Sequence, residues 1–352
     1  MNKTERLLSE LTAEISKNLQ QGRYRFPTER ELTLRYRCSR RTVRAALQAL
    51  SEKGYLRRIQ GSGCFLSGLS PTERENRIAL LLEQPDDYTH PALVHALRDN
   101  LRQRGFRLEV FDTRADFFEE RRILSTHCLG GGFRGIFSHA FRLLENPNLD
   151  LYERLSHAGT PILFLHRGYE NFPFPSLSPD EYGGVRQAVQ LLRRSHPKRL
   201  IGIFHSDIPE EALRLSAFLR VLREEGLPFS GDFLLLLSAD LPSEEMRRQI
   251  RHFLQTPPAN SALLCGSDRI AQQVMELCAA LRIAVPAELS LLSFDESYLS
   301  MLGEFRFSSY GLHSPGPGEA AADWMLQKTG GQTPPPALLH WELSHYDTVL
   351  LR

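Results

Sequence analysis

The stretch "SRRTVRAALQALSEKGYLRRIQGSGCFL", residues 39–66, decides how the first part of this chain is read. Its apolar residues Val43, Ala46, Leu47 and Leu50 recur at i, i+3, i+4 and i+7, the spacing of one buried stripe on an amphipathic helix. Arg40, Arg41 and Arg44 lie off that stripe at its N-terminal end and project together. A solvated helix face usually alternates signs, yet no acidic residue occurs between Glu31 and Glu52. A surface of one sign suits a polyanionic partner. Farther on, "YLRRI" and "CFL" read as two short strands around "QGSG", whose glycines permit a tight, exposed tip.

The charge distribution extends this reading. Residues 1–76 hold 15 Lys+Arg against 8 Asp+Glu, a net of +7, while the remainder holds 28 against 34, a net of −6. A formal total of +1 therefore hides a basic head on an acidic body. That asymmetry places a nucleic-acid contact at the N-terminus and a separate task behind it. With 352 residues, the chain has room for two or three domains, each with its own core. Its start, "MNKTERLLSELTAEI", lacks the apolar centre of a signal peptide, and no stretch approaches the roughly 18 apolar residues of a membrane span. Cysteines 38, 64, 128, 265 and 278 form no C-x-x-C pair, so they signal neither a disulfide framework nor a zinc site. Free thiols in a cytoplasmic protein, with no metal, no cofactor and no membrane partner, are expected.

The residues before Ser39 complete a motif. Leu8, Leu11, Ile15 and Leu19 form the stripe of a first helix. In "TERE", Glu31 stands three residues after Thr28, the spacing of a capping box, and a second helix opens there. "RYRCS" is a short turn, and Ser39 caps the third helix. Helix, turn, helix and hairpin in this order make a winged helix-turn-helix, which sets the N-terminal part of its second motif helix into the DNA major groove. Arginines there donate to guanine edges or neutralise phosphates. The run "FPTERELTLRYRCSRRTVRAALQALSEKGYLRRIQGSGCFL" resembles the DNA-binding domain of the GntR family of bacterial transcription regulators. The resemblance implies DNA contacts from Arg30 in "ERE", from Ser39, Arg40, Arg41 and Arg44 on the recognition helix, and from Gln60 and Gly61 at the wing tip. Arg57 and Arg58 either touch phosphates or only flank the wing. Thr28 and Glu31 are read as structural caps.

Beyond the polar, proline-containing "SGLSPTEREN", the pattern changes. "RIALLLEQ", "RLEVFDT", "RGIFSH", "PILFLH", "RLIGIFH", "DFLLLLS", "SALLCGS" and "LSLLSFD" read as buried strands, mostly separated by helical stretches. That alternation implies parallel sheets covered by helices on both faces. Several runs end on polar residues, namely Gln84, His139, His166, Ser267 with Asp268, and Asp295. Ligands bind beyond the carboxyl ends of such strands, so these residues mark a candidate cleft. Asp268, at the start of "DRIAQQVMELC", reads as a helix N-cap. Tyr88, His90 and Phe141 are candidate ring contacts, with loop or core positions as the alternative.

From about residue 77 the chain resembles the effector domain of LacI-type repressors, which is related to periplasmic sugar-binding proteins. The carriers are "GTPILFLHR", "SLSPDEYGGVRQAVQLL", "RLIGIF" with "ALRLSAFLRVLREEGL", "ALLCGSDRIAQQVM" and "VPAELSLLSFDE". The resemblance implies effector contacts from His166, Arg214, Ser267 and Asp295. His166 stands where the family commonly has Asp, Ser267 where it has Asn, and Leu312 where it often has Gln. The expected fold is α/β: a winged helix-turn-helix domain (1–68), a linker (69–76), and a two-lobed periplasmic-binding-protein-like effector and dimerisation domain with parallel sheets (77–352). The expected function is a repressor without catalytic residues, homodimeric on a palindromic double-stranded operator, and controlled by a small polar metabolite, a sugar above all. The alternative is a constitutive DNA-binding protein whose body only dimerises.

Overall fold

The computed structural model describes residues 7–8, 10–11, 14–15, 25–52, 55–59, 63–66, 76–129, 132–140, 145–169, 172–255, 260–302, 305–313, 315–345 and 347–350. In the head, Leu7, Leu11 and Ile15 are buried and Leu8 only half so. The stripe of the first helix is thus turned towards Leu7 from the expected Leu8, and Leu19 lies outside the described residues. Strand β1 (Arg25–Phe26) leads to helix α1 (Glu29–Tyr36) and helix α2 (Arg40–Glu52). The capping box is formed: the Glu31 amide donates to Thr28 Oγ1 at 3.3 Å, and the Thr28 amide to Glu31 Oε2 at 2.7 Å. Strands β2 (Leu56–Ile59) and β3 (Gly63–Leu66) pair antiparallel, and β1 adds to the far side of β3. Val43, Ala46, Leu47 and Leu50 are all fully buried, packed with Phe26, Leu32 and Leu56.

The body holds two lobes. The first contains β4 (Arg77–Leu82), α3 (His90–Gln103), β5 (Arg107–Asp112), α4 (Phe117–Ile123), β6 (Gly135–His139), α5 (Leu149–His157), β7 (Ile162–Leu165) and β8 (Ser176–Pro179). The second contains α6 (Glu181–Arg193), β9 (Arg199–His205), α7 (Pro209–Glu224), β10 (Leu234–Leu237), α8 (Ser243–Leu254), β11 (Ser261–Cys265), α9 (Asp268–Leu281), β12 (Leu289–Phe294), α10 (Tyr298–Leu302) and β13 (Ser309–Gly311). Helix α11 (Pro317–Thr329) and β14 (Ala337–Leu339) return to the first lobe, and β15 (Glu342–Leu343) to the second. One sheet runs β14-β8-β7-β6-β4-β5 and is wholly parallel. The other runs β10-β9-β11-β12-β13-β15 and is parallel except for β15.

The chain therefore crosses between the lobes three times: before α6, before α11, and between β14 and β15. Residues on the crossings tie the two cores together. Leu312 packs against both. Trp341 lies on α6 at Gly184, where a Cβ would overlap the indole, so only glycine admits the ring.

Two strands depart from the expectation of full burial. β5 and β10 are sheet edges, and Leu236 on β10 is 47% exposed. A run of four leucines reads as interior, but strand order is set by crossovers that local sequence does not encode.

Gly184→Ala is expected to displace Trp341 and cost about 1–3 kcal/mol by overpacking. Urea denaturation measures the loss, and the fluorescence of one of only two tryptophans reports the displacement. Unchanged stability and spectrum would show that this crossing is loosely packed.

Candidate functional site

At the head, Arg37 adopts a left-handed conformation (φ 47°) that ends α1, and Ser39 Oγ accepts from the Thr42 amide at 3.2 Å to open α2. Arg30, Ser39, Arg40, Arg41 and Arg44 are all exposed. Arg44 Nη2 meets Glu29 Oε2 at 3.2 Å, which sets the first turns of α1 and α2 side by side and brings Arg30 into the same group. Arg58 lies on β2 opposite Cys64. Its side chain, and Gln60 and Gly61 altogether, lie outside the described residues.

In the body, the carboxyl ends of the two parallel sheets meet at the interlobe cleft. Arg214, on α7, is buried there. Its Nε donates to Glu181 Oε2 at 3.0 Å, and its Nη1 donates to Asp295 Oδ1 at 2.8 Å and to the Gly266 carbonyl at 2.7 Å. The guanidinium lies over the rings of Phe294 and Trp341, at 5.0 and 4.9 Å. Burial opposes its charge, but Glu181 and Asp295 outweigh burial and hold its pKa above the usual range. Glu211, on the same helix, accepts from the His205 amide at 2.8 Å and sits so close to Gly266 that a side chain there would collide with its carboxylate.

The first lobe supplies a wall of imidazoles. His139, at the end of β6, makes edge contacts with His90 (5.4 Å) and with His166 (5.0 Å), which follows β7. Burial, helped by the neighbouring His90 and Arg214 charges, pushes His166 down to about 4. Burial, with His166 and His90, also lowers His139 well below its usual value. These two rings are neutral near pH 7. They meet edge to face, and among the described residues no group of His, Cys, Asp and Glu is arranged to hold a metal ion.

Across the cleft, Tyr88 donates its hydroxyl to Asp295 Oδ2 at 2.5 Å. Asp87 accepts from Arg269 at 2.8 Å, and that guanidinium lies 4.7 Å from the centre of the Tyr88 ring. The loop after β4 thus latches one lobe to the other.

The structure brings Arg214 and Asp295 into direct contact, sets Ser267 beside the Gly266 carbonyl that Arg214 binds, and places His166 on the facing wall. Ser267 is buried and its Oγ has no partner. Asp268 is not an N-cap. It is the first residue of α9, and its buried carboxylate accepts from Ser293, from Ser309 (2.6 Å) and from the amide and hydroxyl of Ser297 (2.7 and 2.8 Å). Burial and the nearby Asp295 push it up to about 7. Leu312, where a polar contact is missing from the family pattern, lines a small apolar cavity with Leu93, Leu165, Leu177 and Leu339. Phe141 lies outside the described residues. Sequence reasoning missed Glu181, Glu211, Phe294 and Trp341 as parts of the site. Only their meeting at Arg214 marks them.

Residues 3–66 match the bacterial regulatory proteins of the gntR family, and residues 189–343 match the periplasmic binding protein-like domain. An arabinose metabolism transcriptional repressor of Geobacillus stearothermophilus is 27% identical over 86% of this chain and 84% of its own length. One of the same description from Halalkalibacterium halodurans is 27% identical over 80% and 77%. A solved structure described as a complex of the transcriptional regulator CelR with cellobiose superposes with a TM-score of 0.65 at 20% identity, covering 88% of this chain and 91% of that one, and so shares the fold.

Arg214→Met is expected to destabilise the body by about 3–5 kcal/mol, because it leaves two buried carboxylates without their cation. Adding Glu181→Gln and Asp295→Asn to it restores most of the loss. Without the cation, burial raises both carboxyl pKa values, so the folded state binds more protons than the unfolded one. The deficit of the single variant then grows as pH rises out of the ordinary carboxylate range. Urea melts between pH 4 and pH 8 measure both effects.

Proposed function

From the premise that this chain is a transcription regulator and not an enzyme, joining a GntR-family DNA-binding domain to a periplasmic-binding-protein-like body, we propose that it is a repressor whose affinity for a palindromic operator is controlled by a small carbohydrate held in the interlobe cleft. The observation that carries this reading is the buried Arg214–Asp295 pair at the carboxyl ends of one sheet, facing His166 at the carboxyl end of the other. Two lobes joined by three crossings can open and close as rigid bodies around a ligand. The arabinose-metabolism repressors and the cellobiose complex support a carbohydrate as that ligand. His166, Arg214, Ser267 and Asp295 are its contacts.

At the head, Arg40, Arg41 and Arg44 enter the major groove, with Ser39 and Arg30 fixing the helix on the phosphates and Arg58, Gln60 and Gly61 serving the wing. A homodimer doubles the contact set on a two-fold operator. Each sheet has an edge on either side of the body, and we place the dimer surface on the side that carries β5 and β10. β14 and β15 are joined by two residues and so share one side, which leaves β5 and β10 on the other. Leu236 on β10 is exposed there, and Phe229, five residues before β10, and Phe118, in the first turn of α4, are exposed as well. Among the described residues no helix is long and apolar enough to cross a membrane.

One observation favours a second reading, a constitutive DNA-binding protein with a silent body: Tyr88 and Asp87 already bridge the cleft.

Arg40→Ala and Arg44→Ala are each expected to weaken operator binding by about 1–3 kcal/mol if the contact is to a base edge. Wild-type affinity is expected to fall steeply with salt. Gel-shift titration of both variants checks this, and unaltered specific affinity would remove α2 from the groove. Leu236→Glu is expected to turn a sedimenting dimer into a monomer. A sugar that prefers one lobe arrangement by about 3 kcal/mol shifts operator affinity roughly a hundredfold. Intact DNA binding that responds to no sugar would favour the second reading.

A further inference from the structure

The second lobe carries a groove that the effector reading does not use. It lies at the amino-terminal end of that lobe's sheet, where β9 begins at Arg199, and β9 runs from there to the interlobe cleft at His205. The groove has a volume of about 630 Å³, within the range of small-molecule sites. The last turn of α6, the loop into β9 and the segment after α7 form its walls. Leu200, Leu227 and Phe233, all half-buried, supply an apolar lining.

The charge around this groove runs against that of the body. Residues 193–199, "RRSHPKR", hold four cations and no acid, in a body whose net charge is −6. Elsewhere in the body exposed arginines sit on carboxylates, as Arg121 does on Asp150 and Arg220 on Glu224, both at 2.8 Å. Here Arg193 meets Glu225 at 2.7 Å, but Arg194, Lys198 and Arg199 form no ion pair among the described residues. The dipole of α6 favours cations at its carboxyl end, which accounts for Arg193 and Arg194. Lys198 and Arg199 lie beyond the helix and have no such reason to gather. A cleft lined by one sign of charge focuses its field and concentrates ions of the other sign.

These cations are also held in place. Ser195 Oγ donates to the Leu192 carbonyl at 2.8 Å, and Asn260 Nδ2 to the His196 carbonyl at 3.2 Å. The Lys198 amide donates to the Asn260 carbonyl at 2.8 Å. The bonds fix a turn in which His196 takes a left-handed conformation (φ 47°), and Arg194 and Lys198 line the groove from its two sides. The Arg199 guanidinium lies 5.1 Å from the centre of the Phe233 ring, which orients it. A planar guanidinium meets phosphate oxygens in pairs, and an ammonium adds a point charge.

We propose that this groove binds a small organic polyphosphate of the nucleoside di- or triphosphate class, with its phosphates on Arg194, Lys198 and Arg199 and its base on the apolar lining. Several uncommitted cations call for a multiply charged group, which a single carboxylate does not supply. The apolar lining calls for an organic body, since an inorganic anion would leave Phe233 and Leu227 uncovered. The walls belong to α6 and the end of α7, the helices that carry Glu181 and Arg214 towards the cleft. A ligand here therefore acts on the lobe that holds the Arg214 centre without entering the cleft.

Isothermal titration of the full-length chain tests this with adenosine diphosphate, uridine diphosphate, adenosine and pyrophosphate. The buffer is low in salt, where exposed charges are least screened, and free of divalent cations. At least one nucleoside diphosphate is expected to bind, pyrophosphate at least tenfold more weakly, and adenosine not measurably. Arg194→Ala combined with Lys198→Ala removes two exposed cations. It is expected to weaken nucleotide binding at least tenfold and to leave the urea melt unchanged. Arg248→Ala removes an exposed cation of α8 outside the groove and is expected to leave binding as it is. Amide exchange over residues 196–200 is expected to slow when the nucleotide binds, and this wild-type measurement locates the site even if the double variant fails to fold. Absence of nucleotide binding by the wild-type chain overturns the proposal. So does binding that survives the double substitution, that falls equally with Arg248→Ala, that pyrophosphate matches, or that leaves exchange over 196–200 unaltered.

Discussion

The body depends on one buried cation. Arg214 draws together α7, the start of α6, the end of β12 and the turn after β11, because Glu181, Asp295 and Gly266 each supply an acceptor to it. Trp341, on the third crossing, closes over the guanidinium, so the hinge and the site share a residue. Two glycines make this packing possible. Gly184 admits the indole against α6, and Gly266 admits the carboxylate of Glu211. A buried ion pair contributes little net stability over a well-packed apolar replacement, yet breaking it strands a charge. Such a group is better suited to defining a site than to holding a fold.

Backbone strain collects in the same place. Gln84 (φ 45°), His166 (φ 64°), Asp295 (φ 104°) and Glu296 (φ 40°) all lie just past the carboxyl end of a strand with positive φ. Each such residue costs on the order of 1–3 kcal/mol and persists only where its surroundings over-determine it. Around Asp295 they do. Its amide donates to the Tyr310 carbonyl at 2.8 Å, the Glu296 amide to Ser309 Oγ at 2.9 Å, and the Ser297 amide to Asp268 at 2.7 Å. Asp268 acts as the internal support of the loop that presents Asp295 to the cleft.

The head follows a different logic. Its core is a single apolar cluster, and its charged groups lie outside it. Arg44 bridges Glu29 and Arg35 bridges Glu14, both at exposed positions where ion pairs contribute little stability and exchange partners readily. A phosphate can compete for such an arginine. The body works by the opposite means, since Arg214 is buried and fully committed. One chain thus combines an exposed basic surface with a desolvated cluster of charges between two lobes.

The sequence by itself determined whatever depends on neighbours along the chain. The stripe Val43, Ala46, Leu47, Leu50, the capping box of Thr28 and Glu31, the alternation of strands and helices, and the polar strand ends are set by periods and spacings of a few residues. The candidate Arg214 came from resemblance to a family pattern, and Asp295 from that pattern and from its place at a polar strand end. Only tertiary structure decided how distant residues were paired. Asp268 looks like a cap because it precedes a helix, but serines 25 and 41 residues farther on claim its carboxylate. Leu234–Leu237 looks like interior sheet, but the crossovers leave it at an edge. Glu181 meets Arg214 from 33 residues away, and Tyr88 meets Asp295 from 207. Local signals are strong because chain connectivity already holds the partners close. A contact across a cleft has no such signal, because its partners are brought together by the packing of two whole lobes.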